Sequence, residues 1–198
     1  LKKFYLLNFS NQVKYFSSIV DLFEPFKSDH KFIKKELFKL INPIHLSKIN
    51  SISKKSIAIH VRFGDFQFSD NEFELRKGSW NYRLPIKWYI SLIKKVRGID
   101  LNIPIYIYSD ANESDLSDML SFPNCYLVYL GSSISDMIGL SQSKLLIASA
   151  STFSMWASFL GQNHTIWFPG QMRQNLINKD GIFEGVVDYE DDLPRVIQ

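Results

Sequence analysis

The chain is poor in cysteine and lacks long apolar runs. Its 198 residues include one cysteine, Cys125, which excludes an internal disulfide and any cysteine-cluster metal site. Cys125 lies in an apolar stretch, so we expect a buried thiol and not a reactive one. No apolar run reaches the roughly 20 residues that a membrane-spanning helix needs. A signal peptide is not visible either, although the sequence starts at Leu1 and not at a methionine.

The signatures of several chemistries are also absent. We find no Gly-rich phosphate loop, no metal-ligand spacing, no Gly-x-Ser-x-Gly nucleophile elbow and no Asp-x-Asp pair of the kind that holds a metal–diphosphate complex. We therefore expect no cofactor and no metal. A diphosphate bound by this chain would have to be neutralised by arginine, helix N-termini and hydroxyl groups.

Charge is unevenly distributed along the chain. Residues 1–55 contain 11 lysines and 4 acidic residues, a net charge of +7, so the total of +3 leaves −4 for residues 56–198. The basic part suits a solvated helix surface or, as the alternative, peripheral association with an anionic membrane. Because clustered arginines and nucleic-acid-binding motifs are missing, we expect no nucleic-acid partner. We expect a cytoplasmic protein if the source is bacterial and a Golgi-lumen protein if it is eukaryotic.

The first 55 residues have the apolar spacing of helices. Asn11–Phe26 and Asp29–Ile41 repeat apolar residues at helical intervals, with Pro25 suited to a stop and Asp29 to a cap. The polar, lysine-rich stretch Ser47–Ser56 suggests a connector. We predict an N-terminal helical segment over residues 1–55, a remnant of or link to a second domain half, most of which we expect to lie outside this short N-terminus.

From residue 56 onward, short β-branched runs alternate with helical patterns. The predicted strands are Ile57–Val61, Ile103–Tyr108, Cys125–Leu130, Lys144–Ala148 and, last, Thr165–Phe168. The predicted helices are Pro85–Val96, Glu113–Leu120, Ile134–Ser141 and Thr152–Leu160. This alternation predicts an α/β domain over residues 56–198, with a doubly wound, Rossmann-like parallel sheet between two helix layers.

Polar residues follow three of these strands. Arg62–Asp65, Ser109-Asp110 and Ser149–Thr152 each begin where a predicted strand ends. In open parallel sheets, ligands bind beyond the carboxyl ends of the strands. We therefore expect these groups to meet in one crevice.

The first candidate segment surrounds Arg62. Its guanidinium is a fork of donors suited to phosphate oxygens, and Gly64 would allow a sharp turn or a close approach to a ligand. A strand-end salt bridge between Arg62 and Asp65 is the alternative. His60 lies two residues before Arg62 on the same strand face, and is either part of the site or a satisfied core histidine.

The second candidate segment is rich in hydroxyl groups. Ser151, Thr152 and Ser154 start a predicted helix, where they would cap it or present hydroxyl and backbone N–H groups to an anion. Asp136 and Asp110 are either helix caps or ligand-binding carboxylates, and Asp136 would suit the paired N–H groups of a guanine edge. Three carboxylates near the first segment are either solvated loop residues or candidates for a general base: Asp65, Asp70 and Glu72.

Four segments in order resemble the α-1,2-fucosyltransferase family, related to α-1,6- and protein O-fucosyltransferases. The residues 60–66, HVRFGDF, resemble the family's His-x-Arg-Arg-Gly-Asp-Tyr. The residues 84–89, LPIKWY, resemble its Leu-Pro-x-x-Tyr-Tyr, and residues 105–110 its strand ending in Ser-Asp. The longest match, over residues 136–157, ends in STFSMWA, where the family has Ser-(Thr/Ser)-Phe-Ser-Trp-Trp-(Gly/Ala).

This resemblance implies the donor-binding half of a GT-B glycosyltransferase. The donor would be GDP-fucose, the acceptor a glycan hydroxyl, and transfer would invert the anomeric carbon without an obligatory metal. Arg62 would bind the β-phosphate, His60 would line the donor pocket and Asp136 would contact guanine. The diphosphate would lie at the helix start, at Thr152, Phe153 and Ser154.

Two positions depart from the family pattern. Phe63 replaces the second arginine of the first motif, and Met155 replaces the first tryptophan of the Trp-Trp pair. Loss of the arginine would weaken donor binding or change the donor. A transferase for another nucleotide sugar and a degenerate, non-catalytic binding module therefore remain as alternatives.

Overall fold

The computed structural model describes residues 23–197, so most of the helix predicted over Asn11–Phe26 lies outside the described residues. The described part opens with a 3₁₀ helix, Glu24–Asp29. Pro25 lies in its first turn, where a missing N–H costs no hydrogen bond. Pro25 therefore lies in the first turn of a helical segment, and its predicted role as the stop of the preceding helix stays a prediction.

Two α-helices follow, α1 (His30–Lys39) and α2 (Pro43–Ser51). The first confirms the predicted helix, but Asp29 makes no side-chain capping bond. The second corrects the connector predicted over Ser47–Ser56. Asn42 starts α2 by accepting the Ile44 N–H at 3.0 Å through its side-chain oxygen, and Pro43 occupies the first helical position.

Six parallel strands form a single sheet in the order β3-β2-β1-β4-β5-β6. They are β1 (Ile57–Val61), β2 (Ile105–Ser109), β3 (Cys125–Leu127), β4 (Leu145–Ile147), β5 (His164–Trp167) and β6 (Glu184–Val186). The five predicted strands are confirmed in position, but β3 ends at Leu127 and not at the predicted Leu130. β6 was not predicted, and β5 is therefore not the last strand.

Five further α-helices connect the strands. They are α3 (Glu72–Arg76), α4 (Ile86–Ile99), α5 (Ser117–Leu120), α6 (Ser133–Leu140) and α7 (Thr152–Gly161), with a 3₁₀ helix over Glu113–Leu116 before α5. Apart from α3, each lies where a helix was predicted. No helix within residues 23–197 has both the length and the apolar character that crossing a membrane requires.

The sheet has an apolar core on each face, because successive strand residues point to opposite sides. In β1, Ile59 packs into the core that contains α4 and α5, whereas Ala58 packs into the core that contains α6 and α7. α1 and α2 pack on this second face and contact α7 and α6, respectively. Cys125 is buried, as predicted. The division of the chain at residues 55 and 56 stays a prediction.

The strand order reverses direction between β1 and β4. One half of the sheet continues from β1 to β2 and β3, and the other from β4 to β5 and β6. The loops that leave β1 and β4 therefore diverge and open a crevice beyond their carboxyl ends. This all-parallel, Rossmann-like α/β sheet confirms the predicted fold class and is consistent with a GT-B half.

Candidate functional site

A pocket of about 770 Å³ opens at this crevice. The volume lies within the range of about 300–1,000 Å³ typical of small-molecule sites. Its walls come from the ends of β1, β2 and β4, from the starts of α6 and α7, and from two loops. The lining residues are His60, Arg62, Asp65, Phe66, Trp80, Asn81, Tyr108, Ser109, Asp110, Tyr129, Ser133, Asp136, Ala150, Ser151, Thr152 and Phe153.

Arg62 leaves β1 and projects into the pocket between two carboxylates. Its Nη2 lies 2.7 Å from Asp65 Oδ1, and its Nη1 pairs with Asp110 Oδ2. Asp110 also accepts the Phe63 backbone N–H at 2.7 Å, which fixes it to the first turn after β1. The strand-end salt bridge considered from the sequence is thus present, and it lies inside the pocket. Its Asp65 side is 76% exposed, so solvent screens that pair strongly.

Gly64 lies behind Arg62 and does not line the pocket. A Cβ at this position would overlap the Asp110 carboxylate. The backbone of Gly64 does not have a positive φ, so a left-handed turn is not the reason for glycine here. The missing side chain instead lets Asp110 reach Arg62.

His60 is buried on the pocket wall, and its Nδ1 faces serine hydroxyl groups. Nδ1 lies 2.8 Å from Ser154 Oγ and 2.9 Å from Ser149 Oγ. Burial lowers the pKa of His60 to about 4, so the imidazole is neutral at physiological pH. Because Ser154 Oγ accepts the Ser149 backbone N–H at 2.9 Å, its proton is available to His60 Nδ1, which favours the tautomer with a proton on Nε2.

The start of α7 forms the wall opposite Arg62. Ser151 is the N-cap, and its Oγ accepts the Ser154 N–H at 3.3 Å. Thr152 and Phe153 occupy the first two helical positions and line the pocket, and within residues 23–197 their backbone N–H groups have no hydrogen-bond partner. The Ser154 side chain is fully buried behind this wall and contacts His60 and Ser149. Any effect of the Ser154 side chain on a ligand would therefore act through these neighbours.

Asp136 reaches the pocket from the first turns of α6. The N-cap of α6 is Ser132, so Asp136 is not the cap considered from the sequence. Its Oδ1 accepts the Leu130 N–H at 2.7 Å. Burial raises the pKa of this carboxyl group, although the hydrogen bond from Leu130 opposes the shift. Asp110 is not a cap either, since Asn112 caps the following 3₁₀ helix.

Three aromatic residues line the pocket that the sequence patterns did not single out. Trp80 and Tyr129 are exposed at the pocket wall, and Tyr108 is buried at the end of β2. The Tyr108 hydroxyl has no hydrogen-bond partner in the described part of the chain. Tyr108 could have been predicted to line the pocket, because it precedes Ser109 at a strand end. Trp80 and Tyr129 could not, because they lie in loops without a recognisable motif.

Comparison with known proteins identifies the family. Residues 2–174 match glycosyl transferase family 11. The chain belongs to this family. No curated protein and no solved structure matches it. It is therefore a glycosyltransferase, with a nucleotide-sugar donor and a glycan acceptor, and the matched region includes every residue that lines the pocket.

In this transferase, Phe63 does not face the pocket. It lines a separate cleft of about 420 Å³, where the Arg83 guanidinium lies 4.6 Å from the centre of its ring. The replacement of the family's second arginine by Phe63 therefore removes no charge from the lining of the main pocket. Asp70 and Glu72 also line the separate cleft, so Asp65 is the one of these three carboxylates that lines the main pocket. Glu72 is the first residue of α3 and pairs with Lys87, so it is not a solvated loop residue.

The transferase has no cluster of three or more His, Cys, Asp or Glu side chains that would hold a metal ion within residues 23–197. Among the residues lining the main pocket, Arg62 is the one cationic side chain and Asp65, Asp110 and Asp136 are the three carboxylates. Metal-independent chemistry stays a prediction.

Proposed function

We propose that this family 11 transferase moves L-fucose from GDP-fucose to a hydroxyl group of a glycan, in the manner of a galactoside α-1,2-fucosyltransferase, with inversion and without a metal. One observation carries the proposal. The Arg62 guanidinium and the open N–H groups at the start of α7 line the same pocket, at the switch point of a Rossmann-like sheet. A guanidinium and a helix N-terminus are together suited to a pyrophosphate.

The proposed reaction is a single displacement. The acceptor oxygen attacks the anomeric carbon of fucose, and the bond from that carbon to the β-phosphate oxygen breaks. GDP leaves with the electron pair. Arg62 and the backbone N–H groups of Thr152 and Phe153 would stabilise the negative charge that develops on the leaving phosphate.

The proton of the acceptor hydroxyl needs a base. Asp65 is our candidate, because it lines the pocket and is exposed, and because a phosphate bound to Arg62 would free it from its ion pair. His60 would serve another purpose. As a neutral ring bonded to Ser149 and Ser154, it would hold the start of α7 in place against β1.

Asp136 would bind the guanine base. Its Oδ2 has no hydrogen-bond partner among the described residues, whereas Oδ1 already accepts the Leu130 N–H. Bidentate recognition of guanine would therefore share Oδ1 with the backbone. Because one of the two oxygens is already in use, binding of a nucleotide sugar with another base should be tested beside GDP-fucose.

The test is GDP release from GDP-fucose by the full-length protein, with galactoside acceptors present. Arg62→Ala should lower GDP affinity by at least about tenfold, since a charge-assisted bidentate contact is lost. Arg62→Lys should retain part of the affinity, because it keeps the charge but loses the planar fork. Absence of turnover together with absence of GDP binding by the wild type would refute the proposal.

A non-catalytic nucleotide-sugar-binding module is the second candidate. Three carboxylates line the pocket beside one cationic side chain, Arg62, so the lining has a net negative charge. That charge favours this candidate, because it opposes the stabilisation of negative charge that develops on a leaving phosphate. Thermal melts with GDP and with UDP separate the alternatives, since a bound ligand raises the melting temperature. Stabilisation by GDP without turnover would favour the module, and preferential stabilisation by UDP would indicate another nucleotide sugar.

A further inference from the structure

A narrow cleft adjoins the main pocket on the side of α7. Trp80, Ser151 and Thr152 line both. The cleft also contains Arg173, from the segment after β5. A second guanidinium thus lies beside the helix start to which the proposed function assigns the diphosphate.

Neutral groups hold Arg173 in this position. Its Nη1 donates to Gly78 O at 2.6 Å, and its Nη2 donates to the side-chain oxygen of Gln171 at 3.1 Å. Gln171 is buried and is itself fixed by a 2.6 Å hydrogen bond to Leu75 O. The guanidinium lies 4.2 Å from the centre of the Trp80 ring. Its orientation is therefore set from three sides without an anion.

The charge of Arg173 has no counter-ion. Within residues 23–197, no carboxylate lies within salt-bridge distance of it, whereas Arg62 pairs with two. Burial lowers the pKa of Arg173, because a partly buried cation without an anion is poorly solvated. An anionic ligand at the helix start would supply the counter-charge that Arg173 lacks among the described residues.

We propose that Arg173 is a second phosphate-binding cation of the nucleotide pocket and contacts the diphosphate of the bound donor together with Arg62. This inference rests on the proposed function, because that function supplies the diphosphate. It would also add a second cation to a pocket that is lined by three carboxylates and one cationic side chain, Arg62. Here the second cation comes from the segment after β5, which shares a cleft with Ser151 and Thr152 at the helix start.

The experiment compares binding of GDP, guanosine and inorganic pyrophosphate by titration calorimetry with the full-length protein. Arg173→Gln should weaken GDP and pyrophosphate binding by about tenfold or more and leave guanosine binding within about twofold, because only the phosphate contact is lost. Arg173→Lys should weaken both phosphate ligands by about three- to tenfold, since the charge remains and the fork is lost. Arg83→Gln is the matched control, because Arg83 also stacks on an aromatic ring and donates to a carbonyl, Phe66 O, but outside the pocket.

Unchanged GDP and pyrophosphate affinity in either Arg173 variant would overturn the inference. If Arg173→Gln does not fold, as judged by circular dichroism, the Arg173→Lys comparison decides. Pyrophosphate binding that depends on Arg173, without preference for GDP over UDP, would support the inference while contradicting the assignment of guanine. A wild type that binds neither GDP nor pyrophosphate would overturn both the inference and the proposed function.

Discussion

At the scale of single residues, Gly64 controls how Arg62 is held. A Cβ there would overlap the Asp110 carboxylate, which pairs with Arg62. Gly64→Ala should therefore displace Asp110, lower the free energy of unfolding by about 1–3 kcal/mol and weaken GDP binding, because overpacking forces the neighbour to move. Urea unfolding and GDP titration measure the two effects.

Gly98→Ala is the control for that substitution. Gly98 lies in α4, and an added Cβ would meet nothing within 4 Å. Alanine should stabilise the helix by about 0.5–1 kcal/mol and leave GDP affinity unchanged. If the two alanine variants had the same stability and affinity, the tight approach of Asp110 to Gly64 would not matter.

His60 gives the protein a specific dependence on pH. Its pKa is about 4 in the folded chain and 6.5 in the unfolded chain, so the unfolded state binds more protons between these values. The contribution of His60 is complete above pH 6.5 and is lost as the pH falls toward 4, by up to about 1.4 kcal/mol per pH unit. His60→Asn, which keeps a polar group near the serine hydroxyls but does not titrate, should remove this component.

The measurement is the free energy of unfolding of both proteins at pH 7 and pH 5. At pH 7 the wild type should have a higher free energy of unfolding than His60→Asn. This difference between the two proteins should be smaller at pH 5. His30 and His164, whose pKa values burial also lowers, are present in both proteins and cancel. Parallel pH profiles for wild type and His60→Asn would contradict a buried, neutral His60.

At the scale of elements, the start of α7 combines stability with ligand binding. Ser151→Ala removes the N-cap and should cost about 1 kcal/mol of stability. Because Ser151 also lines the pocket, the variant should bind GDP several-fold more weakly. Chemical denaturation and calorimetry on the same sample give both values.

Asn42→Ala is the matched control, since Asn42 caps α2 and does not line the pocket. It should lower stability by a similar amount, about 1 kcal/mol, without weakening GDP binding. Equal losses of GDP affinity in both variants would show that the effect of Ser151 is only on stability.

Local patterns predicted the central elements well. β1 was predicted to the residue, because five consecutive buried residues between polar turns leave little choice of boundary. α2 was missed, because the serines and lysines of Ser47–Ser56 indicated a connector. Packing of residues such as Ile49 against the domain makes residues 43–51 a helix. β6 was not predicted, because it contains a glycine and no apolar run, as suits a partly exposed edge strand. Its pairing with β5 depends on the fold and not on a local pattern.

At the scale of the whole molecule, a bidentate ion pair ties α3 to the chain after β6. Arg76 Nη2 lies 2.8 Å from Asp188 Oδ1, and Nη1 binds the other oxygen at 2.5 Å. Asp188→Ala should cost about 1–2 kcal/mol of stability at pH 7, an amount reduced by the partial exposure of both groups. Asp180→Ala, at an exposed turn position, should have little effect.

The pH dependence of this pair has a definite sign. The hydrogen bond from Arg76 lowers the pKa of Asp188 below its usual value of 3.8. The stabilisation is therefore present above that value and is lost as the pH falls through the lower folded-state pKa. Acid unfolding of wild type and Asp188→Ala should converge below the usual aspartate range. A gap that stays constant there would contradict the ion pair.

That the site residues lie close together could be predicted from the sheet topology more than from any single motif. Parallel strands end at one edge of the sheet, and this rule was enough to bring Arg62, Asp110 and Ser151 together from the sequence. Trp80 and Arg173 were not predictable in this way, because their positions depend on the paths of loops that no local pattern specifies. The chemical roles of these residues stay predictions.

The two outer strands of the sheet have a consequence for behaviour in concentrated solution. β3 and β6 are three residues long each. Each edge strand therefore has only a few unpaired backbone N–H and C=O groups. This is too few for continuous strand pairing with another molecule. Outer strands this short protect the sheet against polymerisation by strand addition.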